Sequence, residues 1–351
     1  MSFTRIAPEQ FDTLPDIPEP AENPLLVGHE EAACLLAGAH AAGKLHHALL
    51  IAGPTGIGKA TLAFHLAHHL LAHPDPADAP ATLVRPDPSS QLHRLIAQGA
   101  HPSVLHLTRP MNEKTKAFKT VVTVDEIRRV NRFLSMTSHD GAYRIVIVDP
   151  ADDMNTNAAN ALLKSLEEPP PRTLFILIAH SLGRLLPTIR SRCQVIKLKP
   201  LEPREVIAVL ETMEAGVPAD AEGKAALAAR AGGSVRDALL LTQYGGLEIT
   251  EAIEQVVDAA MFDATAAYRI ADAVAGRDGT VQFQIFNQTV LDMVSARAGT
   301  AGKTGHLDAA VKFSDLWGDM NQAVIETETY NLDKKQHVVG LLRRMCESFR
   351  D

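Results

Sequence analysis

The stretch "HHALLIAGPTGIGKATLAFHLAHHLL", residues 46–71, constrains the fold of this chain more than any other. A short apolar run closed by glycine suits a buried parallel strand. A glycine-rich loop follows, and then Leu62, Phe64, Leu66 and Leu70 recur at helical spacing as a core-facing stripe. Strand, loop and helix in this order form the frame of a phosphate-binding loop of pattern G-x-x-x-x-G-K-[ST]. Gly53, Gly58 and Lys59 fall in register, with Thr55 and Gly56 between them, but Ala60 stands where the hydroxyl belongs. In such a loop, inward N–H groups and the positive end of the helix hold phosphate oxygens. The lysine bridges the terminal phosphates, and the Ser/Thr hydroxyl ligates Mg²⁺. Ala60 offers no ligand, and Thr61 points elsewhere, about 100° round the helix. The expectation is a nucleotide-shaped loop in which ATP or ADP binds weakly or not at all. Mg²⁺ enters only with a nucleotide.

The remaining pattern extends that frame. "SVLHL" (103–107), "YRIVIVDP" (143–150), "TLFILIA" (173–179) and "QVIKLK" (194–199) read as further strands. Helices are expected over 28–43, 59–73, 123–136 and 156–168, the last stopped by three prolines. Thr123 with Glu126 three residues on is a capping-box start. Alternating strands and helices, with each strand apolar on both faces, predict an α/β domain with a parallel sheet covered on both sides. Residues 7–24 are acidic and proline-rich and read as an extended lead-in, and 74–90 as a Pro/Asp/Ala loop not ordered throughout. After 200 the pattern turns helical: three short helices at 203–214, 219–231 and 233–244, then helices to the end with gaps at 276–279 and 298–306. The expected organisation is a lead-in (1–24), an α/β domain (25–200), a small three-helix lid (201–246) and an all-α C-terminal domain (247–351). No repeat of fixed period is present.

Composition narrows the function classes. With 351 residues, two or three domains are expected. A net charge of −8 argues against general affinity for polyanions, so any DNA contact is local or supplied by a partner. Three scattered cysteines make no disulfide framework and no cysteine-based zinc site, which fits a reducing cytoplasm. The first residues lack the apolar core of a signal peptide, and no apolar run reaches the ~18 residues of a membrane span.

The candidate chemistry lies around the loop. Asp149 closes a buried strand, where an acidic residue orients Mg²⁺ through water. A glutamate that polarises water would follow it in an ATPase, but Pro150 does no acid–base chemistry. Asp152 and Asp153 are expected in a turn. Arg190, Arg192 and Arg236 are potential bidentate phosphate donors, but by spacing alone each reads better as a surface or interdomain salt-bridge residue. His65, His68, His69 and His73 include i,i+4 pairs that suit a metal, but they read better as an exposed histidine face. Lys114, Lys116 and Lys119 read as a solvated loop, and aromatic residues are too sparse for a single-strand stacking platform.

"GPTGIGKATLA", "LLKSLEEPP", "LLPTIRSRCQVIKLKPL" and "GGSVRDALLL", in this order, resemble the AAA+ subunits of the bacterial DNA polymerase III clamp loader over at least residues 25–245. The resemblance implies an AAA+ P-loop domain, a lid, and a C-terminal collar that assembles a five-subunit ring. The motor subunits, gamma and tau, carry an intact G-K-[ST], an Asp-Glu pair and four zinc-binding cysteines. Ala60, Asp149-Pro150 and the absence of cysteine between 35 and 192 resemble instead the delta-prime, or stator, kind, with no zinc expected. Ser191-Arg192-Cys193 matches the family's arginine finger, which enters a neighbour's ATP site. Arg236 matches the lid arginine of the second sensor. His180 or Ser181 would replace the polar group of the first sensor. Implied partners are gamma/tau and delta subunits and the sliding clamp, with DNA met through the assembled complex and no membrane. The implied ATPase of the chain itself is slight or nil, as one part of the polymerase holoenzyme. The alternative is a gamma/tau-like motor or another AAA+ ATPase with unusual magnesium ligation. A general adaptor outside replication is the weaker third reading.

Overall fold

A computed structural model describes residues 4–112, 114, 117–135, 143–276 and 279–350. Lys116, Met136, Gly141, Arg277 and Asp278 lie outside them, so the basic run, the end of the helix at 123–136 and part of the gap at 276–279 are judged only by their described neighbours. The chain divides into two compact units. One is Met1–Val209 with Ala228–Arg236, and the other is Leu210–Leu227 with Asp237–Asp351.

The first unit follows the order α1 (Glu30–Ala41), β1 (Ala48–Ala52), α2 (Lys59–Ala72), α3 (Gln91–Ala97), β2 (Val104–Leu107), α4 (Val124–Ser135), β3 (Arg144–Val148), α5 (Thr156–Glu167), β4 (Thr173–Ala179), α6 (Pro187–Arg190) and β5 (Gln194–Lys197). The five strands form one parallel sheet in the order β2-β3-β4-β1-β5. Side chains alternate across a strand, and both faces are apolar. Leu49, Ile51, Ile145, Ile147, Ile176 and Ile178 point to the layer containing Leu36 of α1 and Leu62, Leu66 and Leu70 of α2. Leu50, Val146, Val148, Phe175 and Leu177 point to the opposite layer, with Ile127 and Val130 of α4 and Leu162 and Leu166 of α5. This is the expected α/β sandwich.

Burial on both faces holds for β1 and β4 throughout and for β3 after its first residue. It fails at β5, where Gln194, Val195 and Lys197 are exposed and only Ile196 is buried. This strand lies at the sheet edge, bonded to β1 alone, so its outer groups face solvent.

Two further expectations are corrected. The lead-in is not extended. It folds back so that the Ile6 and Ala7 N–H groups donate to Glu22 Oε1 at 2.6 and 3.1 Å, and Arg5 Nη2 donates to Leu14 O and Ile17 O at 2.6 and 3.0 Å. The histidines of α2 do not form an exposed face. His65, His68 and His69 are buried, because α2 is enclosed by α1 and α3 as well as by the sheet. His65 Nε2 bonds Asn23 O at 2.9 Å, and the His69 ring packs edge-on to His40. One helix has no counterpart among the expected elements: α3 lies just beyond the Pro/Asp loop. Ser90 caps it by accepting the His93 N–H at 3.1 Å.

Helix α5 owes its start to a single side chain. Asn155 Oδ1 accepts the Ala158 N–H at 2.9 Å. Asn155→Ala is expected to lower stability by about 1 kcal/mol, read as a shift in urea midpoint with an unchanged slope.

Helices α7 (Pro203–Thr212), α8 (Ala221–Ala231) and α9 (Val235–Gln243) each contribute residues to both units. The second unit is completed by α10 (Gly246–Asp258), α11 (Ala264–Val274), α12 (Thr280–Lys303), α13 (Leu307–Tyr330) and α14 (Lys334–Arg350). Its core joins Ile253, Val257, Phe286, Val290, Leu342 and Met345. The expected gap at 298–306 is corrected, since α12 continues to Lys303 through Gly299 and Gly302. Glycine costs a helix about 1 kcal/mol per residue, and the long seam between α12 and α13 offsets it. Among the described residues, no helix is long and apolar enough to cross a membrane.

Candidate functional site

The glycine loop lies between β1 and α2 at the C-terminal edge of the parallel sheet. Its backbone needs glycine at Gly56 and Gly58, whose φ values of +74° and +96° lie in the left-handed region. Gly56 has a second constraint. A Cβ there would stand 2.3 Å from Ser234 Oγ and 2.5 Å from Arg236 Cβ. The Val235 N–H donates to Gly56 O at 3.0 Å. The start of α9 thus docks on the loop and places Arg236 beside it.

Thr55 is exposed at the loop tip, while Gly53 is half-buried at the end of β1. Lys59 is 4 % exposed and its Nζ donates to Pro54 O within the loop. Burial lowers its pKa to about 8, against the opposing pull of Asp149 and Asp152. The methyl group of Ala60 packs against the core under α1, and Thr61 is buried in α2. His29 adds a contact that spacing did not reveal: its Nε2 meets Ile57 O at 2.6 Å, beside Gly58.

Asp149 follows β3, and its N–H donates to Leu107 O at 2.9 Å. Burial, and then the charge of Asp12, push its carboxyl up to about 7. Asp152 and Asp153 do lie in a turn, the short 3₁₀ segment Ala151–Asp153, but they are buried and engaged. Asp152 accepts the backbone N–H groups of His180 and Ser181 at 3.1 and 3.0 Å, fixing the end of β4. Asp153 takes Arg109 at 2.5 Å and Arg184 at 3.5 Å. The run "DPADD" after a buried strand carried this information, but the partners come from distant segments.

Arg192 stands apart from the loop. It occupies the turn between α6 and β5. It donates to Glu167 Oε1 at 2.5 Å and to Thr188 O at 2.8 Å, and its side chain is 33 % exposed. Arg190 donates to Leu182 O at 3.2 Å. Lys114 and Lys119 are exposed around a turn closed by the antiparallel bridge Met111–Phe118. Among the described residues, no group of three or more His, Cys, Asp or Glu is arranged to hold a metal ion.

The loop's glycine geometry fits a phosphate cradle. The chemistry of its donors does not complete a magnesium–nucleotide site: position 60 carries a methyl group, position 150 a proline, and Lys59 is folded onto its own loop.

Residues 28–202 match the family described as "DNA polymerase III, delta subunit". Over 191 residues the chain is 38% identical to DNA polymerase III subunit delta' of Pseudomonas aeruginosa PAO1, covering 50% of this chain and 55% of the relative. Over 174 residues it is 34% identical to subunit delta' of Escherichia coli K12, covering 50% and 48%. DNA polymerase III subunit gamma of Buchnera aphidicola (from Acyrthosiphon pisum) is 26% identical over 223 residues, covering 62% and 57%. The alignment thus spans about half the length of the delta' relatives. Through residues 28–202 this chain belongs to the DNA polymerase III delta-subunit family, where its relatives include delta' subunits.

Proposed function

We propose that this chain is the delta-prime subunit of a DNA polymerase III clamp loader. It acts in the cytoplasm as the ring's stator and completes a neighbour's ATP site with Arg192. The observation that carries this reading is the contrast between its two arginine-and-lysine sites. At its own loop, Lys59 is buried on Pro54 O, and Ala60 stands in place of the magnesium-binding hydroxyl. At the Ser191-Arg192-Cys193 turn, the guanidinium is part-exposed and held by an exposed carboxylate, so it can leave Glu167 at little cost. In this reading Arg236 and Asp149 are remnants of a nucleotide site. Gamma/tau and delta subunits are the ring partners, and the sliding clamp and DNA are met through the assembly. The C-terminal helices form the collar.

The similarity to a gamma subunit favours a second reading, in which this chain is of the gamma/tau kind and hydrolyses ATP itself. The two part in one preparation. The purified chain is expected to release no phosphate above a Lys59→Ala control, and to co-elute with gamma and delta subunits as one complex. Lys59-dependent turnover would favour the motor, and failure to join the complex would sink both.

A further inference from the structure

The lead-in 7–24 is more acidic and more tightly folded than a tether needs to be. Its anchors converge from several directions. Glu22 collects the N–H groups of Ile6, Ala7 and Glu19; Thr13 Oγ1 accepts from Gln10 N at 2.6 Å and donates to Glu19; and Arg5 ties Leu14 O and Ile17 O. Farther along, Asn23 O is fixed by the buried His65. These bonds present residues 11 and 12 to the same sheet edge as the glycine loop. The Arg109 guanidinium lies over the Phe11 ring at 4.1 Å while its other face of contact is Asp153. Asp12 Oδ2 stands 3.5 Å from Arg236 Nη1. The charge of Asp12 is felt at Asp149, where it adds to the upward push on that carboxyl.

We propose that Phe11 and Asp12 form a built-in plug of the phosphate loop, an internal carboxylate that takes the arginine a nucleotide's polyphosphate would need. The proposal rests on the reading of residues 53–61 as a phosphate loop. A polyphosphate brings several negative charges, and Asp12 both occupies Arg236 and repels them. The Asp12–Arg236 pair is part-exposed, with side chains 43% and 21% accessible, so its own strength is modest. The anchors on either side hold the lead-in in place, while this pair and the Phe11–Arg109 contact latch residues 11 and 12 to the loop, so losing the latch raises the fraction of molecules in which they stand clear. Apparent affinity then scales with the fraction of molecules whose lead-in is displaced.

The test is calorimetric titration of the full-length chain with ADP and with inorganic tripolyphosphate. It compares wild type with Asp12→Asn and with the double variant Phe11→Ala/Asp12→Ala. Both variants are expected to bind about tenfold tighter than wild type or more, with Asp12→Asn guarding against loss of fold in the double variant. Amide exchange across residues 5–22 of the wild type should quicken at saturating tripolyphosphate. Equal affinities, including no detectable binding by any of the three, would overturn the plug, as would tighter binding by wild type. Either result leaves the stator reading intact, because that reading is judged by ring assembly and by the neighbour's ATPase, not by this loop.

Discussion

Acidification from pH 7 to pH 4 will remove a large part of the stability of the α/β unit. His68 and His69 lie inside α2, and neither ring nitrogen of either residue has a hydrogen-bond partner. Burial first, and then the neighbouring histidines, lower both pKa values from 6.5 to about 4. The groups facing them are His40, His65, His73 and His93, with Asp87 the one carboxylate that opposes the shift. Unfolded imidazole protonates near its ordinary value, so between about pH 6.5 and 4 the unfolded chain binds more protons than the folded one. The folded pKa is the depressed one. Stability from keeping these rings neutral is therefore complete above pH 6.5 and drains away as pH falls toward 4. The loss is on the order of 3 kcal/mol for each histidine, a substantial share of the ~5–15 kcal/mol that holds a domain folded. His106 on β2, also lowered to about 4 by burial, adds in the same direction. Urea unfolding followed by amide protection of β1 should show the decline. His68→Leu/His69→Leu, of similar volume and without a proton to gain, should flatten it. Parallel declines in wild type and variant would show that these rings are not the cause.

Those histidines lie where helical spacing carries no information. Helical spacing located α2 correctly, because Leu62, Leu66 and Leu70 repeat on one face. It could not show that α1 and α3 close over the opposite face, since that depends on packing partners far along the chain. A polar residue type suggests exposure, whereas a neutral imidazole packs well as an aromatic body. The central strands were legible for the converse reason. Runs such as Ile145–Val148 and Leu174–Ala179 have no polar face to offer water, so only a sheet covered on both sides accommodates them. β5 departed from that rule because its neighbourhood is set by strand order, which periodicity does not encode.

Within the candidate site, the loop was legible because its glycines and lysine are contiguous and their spacing is dictated by backbone geometry. The role of Asp152 in tying His180 and Ser181 was not, and neither was the approach of Asp12 to Arg236, a contact between residues more than two hundred positions apart. The α12 glycines misled in another way. Gly299 and Gly302 weaken local helix propensity, but propensity yields to the packing of a long helix pair.

The second large effect concerns Arg192. In the structure two nitrogens of its guanidinium are engaged by oxygen acceptors, and a third of the side chain is open to solvent. Exchanging Glu167 for a neighbour's terminal phosphate replaces a weak exposed pair with a charge-assisted, bidentate one. On the proposal that Arg192 acts as a finger, worth roughly 10³–10⁵ in rate at the site it would complete, Arg192→Ala should silence that one site. The total ATPase of the ring should fall by the share that site carries. The substitution removes a part-exposed ion pair and one bond to Thr188 O at the surface, and should leave the fold and ring assembly unchanged.

The most direct test places Arg192→Ala beside Lys59→Ala in the same reconstituted loader and measures DNA-stimulated phosphate release, with assembly confirmed for each. The account predicts that Arg192→Ala lowers the rate while Lys59→Ala leaves it at the wild-type value. A rate that survives Arg192→Ala but falls with Lys59→Ala would contradict it and make this chain a motor in its own right.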